Sequence, residues 1–166
     1  NKLDIPIKGE ASPYIKNTED KSWSGISLPW MAYGYELHIT PLQTLTFYNA
    51  IANNGQMMKP LFVREIRNTN EVLETFEPTV IKEHIASKET LAKLQDMLKG
   101  VVLRGTAKGI SNKYYSIAGK TGTAQIAQNN QGYNKVNYKA SFCGYFPAED
   151  PMYSCIVVIN NPTSGY

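Results

Sequence analysis

The feature that most constrains this chain is a five-residue connection, Pro147-Ala-Glu-Asp-Pro151, set between two strand-forming runs, Tyr138 to Phe146 and Met152 to Asn160. Proline has no N–H for a ladder, so a proline at each end of the connection stops both strands there. Five residues are too few for a parallel crossover, which takes a dozen or more, so the two runs form an antiparallel hairpin. In the simplest register Cys143 falls opposite Cys155. Two readings of that pair stay open, a cross-strand disulfide and two buried reduced thiols. The second is favoured because bridges directly across two strands are strained.

A third strand-like run precedes the hairpin, from Tyr115 to about Ala127, with a polar loop expected over residues 128–137. Upstream the period changes to that of helices. Thr40-Pro41-Leu42-Gln43 is a capping box: Thr40 is the N-cap, Pro41 stands where a missing N–H costs nothing, and Gln43 can reach back to the Thr40 N–H. The spacing predicts a helix from Pro41 to about Asn54, with Leu42, Leu45, Tyr48, Ile51 and Ala52 on its apolar stripe and Gly55 as a left-handed cap. A second helix is expected from an N-cap at Ser87 to about Arg104, capped by Gly105. Glu89 lies in its first turn, and Leu91, Leu94, Leu98, Val101 and Val102 share one face. Between them, Leu61–Arg67 and Glu71–Phe76 flank Asn68-Thr69-Asn70 as a small hairpin. Residues 1–35 show no helical period and read as an irregular segment, whose aromatic stretch Trp23 to Tyr35 packs on the domain. Helices followed by antiparallel strands make the chain α+β, with helices packed on a sheet.

Composition narrows the function classes. With 166 residues, 42% of them hydrophobic, and 2 Cys, the chain is expected to bury a core without a disulfide scaffold. The balance of 17 basic and 14 acidic residues gives +3, and the basic residues are spread from Lys2 to Lys139 without a run, so there is no footprint for nucleic acid. The longest apolar run, Cys155 to Ile159, is far short of the roughly 18 residues that cross a bilayer. The start, Asn-Lys-Leu-Asp-Ile-Pro, lacks Met and a leader, and the chain reads as a piece of something longer. His38 and His84 share no ligand spacing with each other or with Cys, so no metal site and no cofactor is expected; they read as a cap-adjacent and an exposed histidine. Arg104 and Lys139 read as solvated.

The segment that carries chemistry is Ala118-Gly119-Lys120-Thr121-Gly122-Thr123-Ala124-Gln125. As a phosphate loop it would need Gly at position 114, which is Tyr114, and would have to open into a helix, whereas the residues after Gly122 read as strand. As a Lys-Thr-Gly strand beside an acyl-transfer site its parts fit together. Lys120 supplies fixed positive charge, Gly122 keeps the strand edge clear, Thr121 and Thr123 offer hydroxyls to a carboxylate, and edge N–H groups can donate to an oxyanion. Alternation puts Thr121 and Thr123 on one face and Lys120 on the other, so a ligand touching all three approaches along the edge, as in strand addition.

In its wider context this segment resembles the class B penicillin-binding proteins, specifically the septal, division-type transpeptidases. Tyr33-Gly34-Tyr35 through Thr40-Pro41-Leu42-Gln43 to Gly55, with Met58-Lys-Pro60, resembles the helix after the family's second motif. Val101-Val-Leu-Arg-Gly105-Thr-Ala107 resembles the helix end before the Lys-Thr-Gly strand, and Tyr145-Phe-Pro147 with Val157 to Pro162 resembles the closing hairpin. The resemblance implies a partial penicillin-binding, serine β-lactamase-like transpeptidase fold. It implies that Lys120 orients a proton-relay serine, that Thr121 and Thr123 hold the substrate's terminal carboxylate, that the Thr123 N–H is an oxyanion donor, and that Tyr166 lines the pocket wall.

No serine here has Lys three positions on or Asn two positions on, so the family's Ser-x-x-Lys nucleophile and its Ser-x-Asn element are absent. The chain is therefore expected to be the C-terminal portion of one transpeptidase domain, lacking its N-terminal part and final helix, and inactive alone. The implied substrates and ligands are D-Ala-D-Ala stem peptides of peptidoglycan and β-lactams. The implied partners are other division proteins, and the implied place is the extracytoplasmic face of the membrane, through an anchor outside these residues. A non-catalytic β-lactam or peptide sensor is the alternative from another class.

Overall fold

The computed structural model describes residues 2–128 and 132–163, with the backbone alone at 126–128 and 132–137. Tyr166 lies outside the described residues. The N-terminal segment is mostly irregular, as expected, but holds a two-residue strand, β1 (Tyr14–Ile15), and a six-residue helix, α1 (Ser27–Ala32). Strand β1 pairs antiparallel with β2 (Leu37–His38). Lys16 is buried and its Nζ meets Glu36 Oε1 at 2.7 Å. That ammonium, and then the Ser27 hydroxyl, hold the Glu36 carboxyl below its usual range. The expected packing of the aromatic stretch is only partial: Ser27 is fully buried and Trp30 lies 5.4 Å from the Tyr35 ring, but Ile26, Leu28 and Tyr33 are exposed.

Helix α2 (Pro41–Ala52) starts on the full capping box, with Gln43 N–H donating to Thr40 Oγ1 at 3.2 Å and Thr40 N–H to Gln43 Oε1 at 2.8 Å. It ends at Ala52, two residues earlier than expected, and Gly55 follows with φ +94° and its N–H on the Ala50 carbonyl at 2.8 Å. Of the predicted stripe, Ile51 and Ala52 are buried while Leu42, Leu45 and Tyr48 are half-buried. Thr46 and Ala50 are buried as well. Thr46 can be, because its hydroxyl donates to the Leu42 carbonyl at 2.8 Å and is satisfied within its own helix.

After α2 come β3 (Met57–Met58), β4 (Glu65–Arg67), β5 (Val72–Thr75) and β6 (Val80–Lys82). Strands β4 and β5 form the expected hairpin, shorter than its sequence pattern, around an Asx turn in which Asn68 Oδ1 accepts from Asn70 and Glu71 N–H at 2.8 and 2.9 Å. Strands β3 and β6 pair with each other, a ladder the sequence reading did not include. Helix α3 (Lys88–Arg104) has Ser87 as N-cap and Gly105 as an extended C-cap, and buries Leu91, Leu98 and Val102.

The C-terminal sheet is a meander of β7 (Ala118–Gln128), β8 (Gly132–Phe146) and β9 (Tyr153–Asn160), in spatial order β7-β8-β9. Strand β7 begins three residues later than expected, and pairing continues to Gln128↔Gly132, so the expected polar loop over 128–137 is largely strand. Helices α2 and α3 lie on one face, where Ile51, Ala52, Leu98, Ala118 and Tyr145 form the core.

The hairpin register differs by one residue from the simplest one. Phe146 pairs with Tyr153, because Met152 stays in the turn, its N–H on the Phe146 carbonyl at 3.2 Å. Cys143 therefore pairs with Ile156 and Cys155 with Gly144, and a one-residue slip sends side chains to opposite faces. Cys143 is buried on the helix face, Cys155 is half-buried on the other, and both are free thiols. The disulfide reading is excluded by register.

Candidate functional site

Strand β7 is paired on one side only among the described residues, so its other backbone edge is open. Lys120, opposite Cys143, shares the helix-facing side with Ala118 and Gly122. Its Nζ donates to the Thr121 carbonyl at 2.7 Å and stands 3.5 Å from Thr121 Oγ1. By the two-residue period of a strand, the N–H and C=O of Thr123 point to the same side of β7 as those of Thr121. Gly122 stands opposite Ser141, whose Oγ donates to the Gly122 carbonyl at 3.4 Å; a Cβ at Gly122 would come within 2.6 Å of that oxygen. A larger residue would make the Ser141 hydroxyl turn away from the Gly122 carbonyl.

Between the start of α2 and the strands is a hollow of about 250 Å³, walled by Pro41, Thr44, Tyr48, Lys120, Ser141 and Cys143, with Lys139 at its rim. Burial pushes the Cys143 thiol up to about 12 and the Tyr48 hydroxyl above its usual value, so both stay neutral and neither is a nucleophile at neutral pH. The charge on the walls is the positive charge of Lys120 and Lys139, which favours an anionic ligand.

A second set of contacts fixes where β7 starts. Ala148 N–H, in the β8–β9 turn, lies 3.1 Å from Ser116 Oγ and 3.0 Å from the Ser116 carbonyl. Glu149 accepts from Lys99 of α3 and from the Ser116 hydroxyl in two very close contacts. Those two partners, Lys99 first, hold its carboxyl at about 2. The entrance to the edge strand is thereby clasped to both the closing turn and α3.

The structure brings Lys120, Thr121, Gly122 and Thr123 together along one open edge, while Tyr166 falls outside the described residues. The Gly-Lys-Thr triplet runs on as strand and opens no helix, which removes the phosphate-loop reading. His38 sits in β2 with its ring 5.9 Å from Tyr14, and His84 is exposed. Among the described residues no three His, Cys, Asp or Glu side chains gather as metal ligands, and no helix is long and apolar enough to cross a membrane. One side chain at the edge was not anticipated: Thr106 Oγ1 lies 2.7 Å from Thr121 Oγ1. Its signal in the sequence is the Gly105-Thr106-Ala107 segment, which by pattern alone reads only as a helix end.

Known proteins resemble this chain along most of its length. The family model described as the penicillin binding protein transpeptidase domain matches residues 1–166. Penicillin-binding protein PbpB of Mycolicibacterium smegmatis is 32% identical over 171 residues, covering 97% of this chain and 26% of that protein. Peptidoglycan D,D-transpeptidase FtsI of Escherichia coli is 31% identical over 150 residues, covering 89% of this chain and 23% of that protein. Among solved structures, penicillin-binding protein 3 of Mycobacterium tuberculosis in complex with aztreonam superposes with a TM-score of 0.84 at 27% identity, over 98% of this chain and 38% of that one. The chain thus spans about a quarter of the length of these two sequence relatives. Matched along its whole length by that domain and sharing its fold with a solved member, the chain belongs to the penicillin-binding protein transpeptidase family.

Proposed function

We propose that this chain supplies the substrate-edge half of a serine D-Ala-D-Ala transpeptidase site, as the C-terminal portion of a transpeptidase domain in a longer protein. The observation that carries the reading is the open β7 edge, on which Lys120, Thr121, Gly122 and Thr123 are presented side by side. A stem peptide lies along that edge as an added strand. Thr121 and Thr123 hold its terminal carboxylate, and the Thr123 N–H donates to the oxygen of the attacked carbonyl as it becomes an oxyanion. Lys120 orients the relay serine of a Ser-x-Asn element and stabilises developing charge.

The nucleophile is the serine of a Ser-x-x-Lys element elsewhere in the longer protein. Its Oγ attacks the penultimate D-Ala carbonyl, the terminal D-Ala leaves as the amine, and an amine from a neighbouring stem resolves the acyl-enzyme into a cross-link. β-Lactams acylate the same serine, in keeping with the aztreonam complex of the relative. The relatives named peptidoglycan D,D-transpeptidase FtsI support the peptidoglycan substrate of this reading, to which we add a role in cell division at the extracytoplasmic face, alongside other division proteins.

The test is covalent labelling by a fluorescent penicillin. The longer protein is expected to label and the 166-residue chain alone is not; labelling of this chain by itself would show that the nucleophile has been misplaced. In the longer protein, Lys120→Ala is expected to slow acylation by about 100-fold or more, on the scale of losing a charge-stabilising group. Acylation at the normal rate removes Lys120 from the site.

A further inference from the structure

We infer that Thr106 is a positioning residue for carboxylate recognition: its hydroxyl donates to Thr121 Oγ1 and so turns the single Thr121 proton toward the bound ligand. The inference rests on the proposed role of Thr121 at the substrate edge. Its basis is the 2.7 Å contact between the two hydroxyls, made across 15 residues of sequence.

The direction of that hydrogen bond follows from counting. A threonine hydroxyl has one proton and two lone pairs. Thr121 can hold a carboxylate only by donating its one proton to it, since a carboxylate accepts and cannot donate. With that proton committed, the hydrogen bond between the hydroxyls must run from Thr106 to Thr121. Thr106 thus selects the Thr121 rotor that faces the ligand, and polarises the Thr121 O–H in the chain Thr106, Thr121, carboxylate. The Lys120 ammonium, 3.5 Å from the same oxygen, reinforces this orientation, because an ammonium can only donate.

Thr106 is held well enough to do this. It sits between Gly105 and Ala107, whose N–H groups both donate to the Val101 carbonyl at 3.1 Å. Ala107 is 6% exposed and plugs the turn into the body of the protein, while the Thr106 side chain itself is exposed at the strand edge. Helix α3 and its capping turn therefore present one hydroxyl at a fixed place beside β7.

The experiment uses the longer enzyme and compares acylation by benzylpenicillin, which carries a free carboxylate, with acylation by its methyl ester, which does not. Thr106→Val is expected to lower the second-order acylation constant for benzylpenicillin about fivefold to tenfold, the scale of one hydrogen bond, and to leave the ester unchanged. Thr106→Ser is expected to restore it to within about twofold, and Thr106→Val combined with Thr121→Val to be no worse than Thr121→Val alone. An unchanged rate for benzylpenicillin in Thr106→Val, an equal loss on the ester, or no rescue by serine overturns the inference. Thr121→Val separates the two layers of the argument. If it too leaves the preference for the free carboxylate intact, the substrate-edge reading of Thr121 fails; if it abolishes the preference while Thr106→Val does nothing, only the inference about Thr106 fails.

Discussion

The β4–β5 hairpin and the β7–β9 sheet are both built of antiparallel strands, yet every residue of β4 and β5 is exposed while Ala118, Cys143, Gly144 and Tyr145 of the sheet are buried. Composition is part of the difference, since Glu65, Arg67 and Glu74 suit β4 and β5 to solvent. The rest is the company each keeps: α2 and α3 lie against one face of the sheet, and neither helix covers the hairpin. A strand edge that serves recognition, as proposed for β7, has to stay fixed when a ligand arrives, and the Lys-Thr-Gly segment stands on the strand whose neighbours are locked in a core.

The largest test of that contrast pairs Tyr145→Ala with Leu73→Ala. Tyr145 is 1% exposed in the centre of the core, and its truncation is expected to cost about 3–5 kcal/mol in denaturant unfolding. Leu73, in β5, is 59% exposed, and its truncation is expected to stay within about 0.5 kcal/mol. Similar losses at both positions would erase the distinction. A smaller effect is expected from Gly144→Ala, where the new Cβ would stand 2.4 Å from the Ala118 carbonyl oxygen. That atom is backbone and cannot swing away, so unfolding measurements should register about 1–3 kcal/mol of overpacking; a neutral result would mean that β7 and β8 separate easily.

The smallest effect concerns the clasp at Glu149 and appears only in acid. The folded carboxyl titrates at about 2, below its ordinary 4.5, so the clasp contributes fully above about 4.5 and loses its contribution as the pH falls toward 2. Glu149→Gln should flatten the pH dependence of the unfolding midpoint across that window and leave its slope above pH 5 unchanged. A wild-type curve that is already flat from 4.5 to 2 would show that Lys99 and Ser116 do not hold Glu149 in solution. The pair is solvent-exposed, which is why it ranks last.

Features set by short-range chemistry were readable in advance. The capping box at Thr40 and Gln43, the N-cap at Ser87, the turn at Asn68 and the edge strand around Lys120 each depend on residues within a few positions of one another. Misreadings arose where distant parts decide. The hairpin slipped by one residue because Met152 joins the turn instead of the ladder, a choice made by backbone closure that side-chain type does not reveal. Thr46 and Ala50 lie off the apolar stripe of α2, and only the tertiary surroundings bury them. At the candidate site, the motif residues were legible as a string, but the Thr106 hydroxyl reaches Thr121 through the placement of α3, which no local pattern encodes.

The one-residue slip also determines how this sheet meets an oxidising environment. With Cys143 behind the strands and Cys155 on the opposite face, neither thiol has the other as a partner, so oxidant cannot cinch the hairpin and the edge strand keeps its shape in either redox state. The two sulfurs then act as separate clocks. Cys155, half-buried, is the more accessible of the two, whereas Cys143 is slowed by the burial that keeps its thiol neutral.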